Sequence, residues 1–424
     1  MDSKDKTGLT GRGYPWFVVG LLWFCGFFNY ADRQAVFSVF PLLGEEFRLS
    51  NVDKGAIGSS FMIVYAVSAP LAGFVVDRVS RRWLIPAGLA VWSVVCAATG
   101  TVQSYGQLLA CRAAEGLGES FYFPASMSLL ADYHGPGTRS RAMSVHQTSV
   151  YAGTAAGGIL AGYLGQTYGW RAPFLALGLI GTVFAFLLPF LIVEPTRGAS
   201  DEKPAVPDVD EIAAPSASFW SNVLAVLRTP AAATLLAVFA GANFVAATLL
   251  AWLPDFVKTR HGLDLTHAAT VAGLFFPAGN AVGALFGGAL ADAASKRVRG
   301  GRVYVQAAGL ILGAPCVWVA GRADTLAVLQ PALVGIGLCK GVYDANIFAS
   351  VYDVVAARVR GTAAGLLNTV AWTAGSAAPL LVGWFSETRG LGAVIAWTAA
   401  VYLAAGLLAL VAAGLSARAR KPAV

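Results

Sequence analysis

A chain of 424 residues with 57% hydrophobic side chains, 12% charged ones and a mean hydropathy of +0.64 is too apolar for a soluble protein. Soluble domains carry about 25% charged residues. The formal charge of +7 admits nucleic acid or an anionic membrane surface as partner, and its placement along the chain decides for the membrane.

The first apolar window, residues 16–40, is too long for a signal-peptide core and no small-residue cleavage site follows it, so it reads as a retained helix. Such windows exceed the ~18–20 residues that cross a bilayer, and backbone in lipid must satisfy itself as helix. Twelve spans are expected, at 15–41, 54–76, 83–101, 105–132, 142–165, 172–193, 230–256, 266–290, 303–320, 325–354, 361–386 and 391–415. The five cysteines (Cys25, Cys96, Cys111, Cys316, Cys339) fall inside apolar windows without metal-ligand spacing, so neither a disulfide framework nor a metal is expected. Acidic, proline-bearing 201–216 is too polar to pack and reads as a linker. After it, 219–227 is either a short amphipathic surface helix or plain linker. The expected organisation is an N-terminal six-helix bundle over 1–193, a cytoplasmic linker over 194–229 and a C-terminal bundle over 230–424. With the N-terminus inside, basic residues favour the cytoplasmic loops by roughly three to one, as the positive-inside rule requires. A multi-pass protein of the cell membrane with both termini cytoplasmic is expected, with no nucleic-acid partner.

The two halves repeat. Gly73-x-x-x-Asp77-Arg78-x-Ser80-Arg81-Arg82 recurs as Gly288-x-x-x-Asp292-x-x-Ser295-Lys296-Arg297, and Asp132-x6-Arg139 recurs as Asp353-x6-Arg360, at offsets of 215 and 221 residues. A parallel repeat of this kind is expected of a two-half transporter. The first of these motifs resembles the signature loop of the major facilitator superfamily, and Arg112-x-x-Glu115-Gly116-x-Gly118-Glu119 resembles its fourth-helix motif. The resemblance covers nearly the whole chain and implies an all-α membrane fold of twelve helices in two pseudo-symmetric bundles. Asn29-Tyr30-x-Asp32-Arg33 in the first helix and Gly116-x-Gly118-Glu119 in the fourth look like two neighbouring groups within it. One is the anion:cation symporters, which carry sugar acids and other organic anions; the other is the spinster family, which moves lysolipids and related amphiphiles.

Ionisable groups at bilayer depth cost several kcal/mol and are usually functional. Here they are Asp32, Arg33, Arg112, Glu115, Glu119, Lys340 and Asp344. Arg112, Glu115 and Glu119 share one helical face. Neighbours Asp32 and Arg33 diverge by about 100°, so Arg33 is expected to face the cavity as a fixed cation while Asp32 turns toward the fourth helix. The resemblance implies that Arg33 binds an anionic substrate and that Asp32 and Glu119 take part in proton coupling. Arg112 and Glu115 read as a structural pair. Aligning the halves places Lys340 over Glu119, with Asp344 one turn further on. Two readings stand: Lys340 is a second anion contact, or Asp344 merely neutralises it. Tyr30, Tyr65, Asn243, Asn346 and Trp372 join the candidate cavity lining. His146, a lone histidine near a helix end, reads as structural. Asp77, Arg78, Arg81 and Asp292 are expected to form latches on the signature loops. Strictly spaced glycines, Gly153-x-x-x-Gly157 and Gly279-x-x-x-Gly283-x-x-x-Gly287, mark close helix approach. No P-loop and no nucleophile–base set appears, so no ATP hydrolysis, cofactor or enzymatic activity is expected. The expected function is alternating-access transport of a small organic anion with protons by a monomer, with a lysolipid or amphiphile as the other cargo.

Overall fold

The computed structural model describes residues 13–76, 78–196, 200, 219–356 and 359–418. Every regular element among them is an α-helix: α1 (Tyr14–Ser38), α2 (Phe40–Phe47), α3 (Asn51–Val76), α4 (Arg81–Thr99), α5 (Tyr105–Glu119), α6 (Tyr122–Tyr133), α7 (Pro136–Tyr168), α8 (Arg171–Leu191), α9 (Phe219–Leu227), α10 (Pro230–His261), α11 (Leu265–Arg297), α12 (Gly301–Arg322), α13 (Leu326–Asp344), α14 (Ile347–Tyr352), α15 (Arg360–Arg389) and α16 (Leu391–Arg418). Joining α1 to α2, α5 to α6 and α13 to α14, and setting the short α9 aside, gives twelve segments that match the expected spans. Eight segments are long and apolar enough on their own to cross a membrane. The fourth span is not among them: residues 105–133 carry Arg112, Glu115, Glu119 and Asp132, whereas the tenth span, broken in the same way, is counted.

The breaks have local causes. Pro41 opens α2 and supplies no amide to the preceding turn. Pro124, in the first turn of α6, likewise leaves the Ser120 carbonyl without its usual donor four residues on. Between α13 and α14 the Asn346 side chain competes with the helix, donating to the carbonyls of Gly287 and Val342 at 3.0 Å each.

The chain divides into two compact units, Met1–Val36 with Val64–Asp208, and Phe37–Ile63 with Val209–Val424. In the first, glycines set the position of α1. A methyl at Gly153 or Gly157 of α7 would collide with the backbone at Phe27 or Ala31, so α1 lies directly against α7 at the turns before Asp32. Gly118 brings α5 onto Trp92 of α4 in the same way, and Trp92, Leu89, Tyr122 and Leu129 form part of a buried apolar core behind it.

In the second unit, contacts rather than chain order place Phe37–Ile63 among the later helices. The Lys54 ammonium meets the buried Asp255 carboxylate of α10 at 2.8 Å. The amide of Asn51 donates to Glu387 Oε1 at 2.6 Å, and the Ser59 hydroxyl donates to the Ser376 carbonyl at 2.6 Å. Gly55 lies against the carbonyl of Pro379. The glycine stripe Gly279, Gly283 and Gly287 of α11 meets the backbone of α13 from Val334 to Val342. The amphipathic helix at 219–227 is present as α9, with Val226 buried and Trp220 and Leu224 exposed. The linker segment 201–218 lies outside the described residues.

A Cβ at Gly283 would overlap the Leu338 carbonyl, whereas one at Gly288 meets nothing within 4 Å. Gly283→Val is therefore expected to cost more than the ~1–3 kcal/mol typical of overpacking and to lower the thermal midpoint by several degrees. Gly288→Ala should leave the midpoint unchanged or slightly higher. Equal midpoints for the two variants in a thermal unfolding assay would contradict the backbone contact.

Candidate functional site

The site of the first unit grows from one turn of α1 facing the end of α5. Arg33 Nε donates to Glu119 Oε2 at 3.1 Å, and Nη2 donates to the same oxygen. Nη2 also donates to Asn29 Oδ1 at 3.1 Å, one turn back on α1. The rings of Tyr30 and Tyr65 sit 4.5 and 5.3 Å from the guanidinium carbon, in the range for cation–π attraction. Arg33 is 8% exposed and Glu119 1%. A pair held that far from water gains little stability, because desolvation offsets the Coulomb attraction.

Asp32 also turns to Glu119. Its buried Oδ1 and the buried Oε1 of Glu119 have no donor in the hydrogen-bond network of the described residues, and the two side chains are close enough to bond to each other. Ionised carboxylates only accept, so a bond between these two forms when one of them carries a proton. Arg33, the next residue on α1, meets Glu119 directly.

One turn earlier on α5, Arg112 and Glu115 form a salt bridge, both fully buried, and Thr99 of α4 donates to Glu115 at 3.3 Å. His146 is buried, with Nε2 2.7 Å from the Tyr122 hydroxyl.

The signature loops resolve into carboxylate clamps on arginine. Arg81, fully buried, pairs with Asp132 at the end of α6, donates to Glu194 beyond α8 at 2.8 Å and donates to Ser128 at 2.9 Å. Arg302 makes the equivalent contacts in the second unit, to Asp292 at 2.9 Å and Asp353 at 2.6 Å. Arg81 and Arg302 are separated by 221 residues, as are Asp132 and Asp353. The structural counterpart of Arg81 is therefore Arg302, not Lys296 as the loop alignment suggests. Arg78 is exposed, lies 3.4 Å over the Phe74 ring and donates to the Phe74 carbonyl. Asp77 lies outside the described residues.

In the second unit Lys340 is buried and meets Asp344 Oδ1 at 2.5 Å, while Asn280 of α11 donates to Asp344 Oδ2 at 3.3 Å. Asn346 is 2% exposed, and both its bonds go to the backbone carbonyls at the helix break. Asn243 donates to Phe239 one turn back and is half-buried, as is Trp372. Sequence reasoning missed Glu194, Arg302 and the Lys54–Asp255 pair. The signal for Asp255 was available, since an acid interrupts the apolar run Leu249–Val257.

Eight segments of membrane-crossing length and apolarity, with a carboxylate paired with a buried cation just before the breaks after α5 and α13, mark a polytopic membrane protein. The model of the Major Facilitator Superfamily matches residues 22–379, and the chain belongs to that family. It is 24% identical over 377 residues to a probable L-galactonate transporter of Escherichia coli, covering 87% of this chain and 82% of the relative. It is 28% identical over 261 residues to protein spinster homolog 1 of Homo sapiens, covering 60% of this chain but only 48% of that protein. Among solved structures, an inward-facing, unoccupied bacterial homologue of the human lysosomal transporter spinster superposes with a TM-score of 0.85 at 20% identity, covering 96% and 98% of the two chains.

Breaking the Arg112–Glu115 pair from one side should be costly. Arg112→Leu leaves the buried Glu115 carboxylate without its cation and is expected to destabilise by about 3–5 kcal/mol, while Arg112→Leu with Glu115→Met recovers most of the loss. A double variant no more stable than the single one, compared by thermal unfolding, would show that the pair does more than hold helices together.

Proposed function

We propose that the chain carries a small organic anion, a sugar acid or another carboxylate, together with a proton, by alternating access. The observation that supports this reading is the Arg33 guanidinium engaged by Glu119, with the buried Asp32 carboxyl beside that pair. A guanidinium presents a planar fork that fits a carboxylate. Glu119 occupies that fork. A substrate carboxylate takes its place at the lowest electrostatic cost when Glu119 accepts a proton, because the site then keeps one cation and one anion. Asp32 is the neighbouring carboxyl through which that proton arrives or leaves. Tyr30 and Tyr65 add aromatic walls beside the guanidinium, which suits the C–H face of a sugar as well as the cation. The relationship to the L-galactonate transporter points to the same class of cargo.

Movement is proposed as rocking of the two repeated halves, residues 1–193 against 230–424, with both termini cytoplasmic and the Arg81 and Arg302 clamps at the cytoplasmic ends. Arg78, Asp77 and Asp292 belong to those loops.

Proteoliposomes holding the full chain give the test. An inward proton gradient should drive uptake of radiolabelled galacturonate or galactonate. Glu119→Gln should lower gradient-driven uptake at least tenfold while sparing exchange of internal for external substrate, and Arg33→Gln should abolish both. Uptake of a lysophospholipid in place of the sugar acids would favour the spinster-like cargo. Gradient-driven uptake unchanged in Glu119→Gln would overturn the coupling.

A further inference from the structure

The turn between α11 and α12 holds positive charge that its surroundings do not neutralise. Lys296, Arg297 and Arg299 are exposed and have no carboxylate partner among the described residues, while Asp292 and Asp353 both engage Arg302. In the matching loop of the first unit Arg81 is clamped by Asp132 and Glu194, and Arg82 Nε donates to the Pro189 carbonyl at 2.9 Å. Lys296 and Arg297 also suit the carbonyl end of α11. Arg299 lies beyond that helix. The N-cap of α12 is Gly300, which offers no side chain to the first amides, so the positive end of that helix adds to the field at the same turn.

The turn also closes one end of an apolar groove of about 450 Å³ enclosed by α11, α12 and α13. Leu290, Ala294 and Val298 of α11 supply one wall, and Tyr304, Ala308 and Leu312 of α12 supply another. Each set falls at i, i+4 and i+8 on one helical face, with an alanine between two larger side chains, so a notch runs between the helices. The four larger side chains are exposed, and the groove opens outward from the unit. From Gly301 to Leu312 it follows roughly 16 Å of helix, about half of the ~30 Å hydrocarbon thickness of a bilayer. That is the depth of one leaflet. Tyr304 lies one turn in from the loop, where an amphipathic ring suits the headgroup boundary.

We propose that this groove and turn bind one anionic phospholipid, with an acyl chain in the notch and the phosphate over Lys296, Arg297 and Arg299. Lipid tails are as apolar as the groove walls, so burying a chain selects no lipid over another. Selection comes from the headgroup, since clustered basic side chains at a membrane surface favour anionic lipids. The notch fixes where the chain lies and the turn fixes which head sits above it. The site is confined to the second unit and rests on neither the cargo nor the coupling proposed above.

Native mass spectrometry of the full chain, released from micelles holding equal amounts of phosphatidylglycerol and phosphatidylcholine with distinguishable chains, tests the proposal. The wild type should retain phosphatidylglycerol at least tenfold over phosphatidylcholine. The triple variant Lys296→Gln, Arg297→Gln, Arg299→Gln should bring that ratio to about one, and the charge-keeping triple Lys296→Arg, Arg297→Lys, Arg299→Lys should preserve it. Ala308→Phe, which fills the notch from an exposed position, should lower phosphatidylglycerol retention at least fivefold with the thermal midpoint unchanged. Millimolar glycerol phosphate, the head without chains, should not displace the lipid. Equal retention of the two lipids by the wild type, a preference undiminished in the glutamine triple, or retention unchanged in Ala308→Phe would each overturn the site. Displacement by glycerol phosphate would reduce it to a surface phosphate contact and overturn the groove.

Discussion

The contact between Arg33 of α1 and Glu119 at the end of α5 is the interaction around which the first unit is arranged. Arg33 reaches Glu119 because Gly153 and Gly157 let α1 lie against the backbone of α7. Glu119 is presented at the end of α5 because Pro124 interrupts the span and Gly118 seats the helix on Trp92. A buried ion pair contributes little to stability after desolvation. Its retention in so apolar a chain is understandable if the pair is meant to be exchanged: the internal carboxylate holds the place of an external one.

The repeated halves use one plan with unequal parts. Both clamp an arginine between carboxylates, Arg81 with Asp132 and Glu194, Arg302 with Asp292 and Asp353. The two clamps differ in burial: Arg81 is fully enclosed, whereas the Asp292 and Asp353 side chains are 65% and 60% exposed. Water screens the second clamp far more than the first, so the first is the harder of the two to open. Both halves also set a cation beside a carboxylate at a helix break, drawn from two helices in one case and from a single turn of α13 in the other.

Most of the fold was legible because hydropathy and charge placement are written residue by residue. Twelve windows, two glycine stripes and two repeated loops were enough to give the segments and the family resemblance. What failed to show in the sequence depended on distance in the chain. Asp255 and Lys54 are 201 residues apart, and no local pattern pairs them. The place of Phe37–Ile63 in the second unit follows from that contact and from Asn51 with Glu387, which periodicity does not report. Nor does the sequence show the bonds from Asn346 to the Gly287 and Val342 carbonyls, because an amide at membrane depth can bind or brace.

The central claim is an exchange: a substrate carboxylate replaces Glu119 on Arg33 as Glu119 gains a proton. Proton uptake on binding measures this directly, by titrating galacturonate or galactonate into weakly buffered protein with a pH indicator. About one proton taken up per anion bound is the predicted result, falling to none in Glu119→Gln. Saturable binding of the anion with no proton uptake, or uptake that persists without the Glu119 carboxyl, would contradict it.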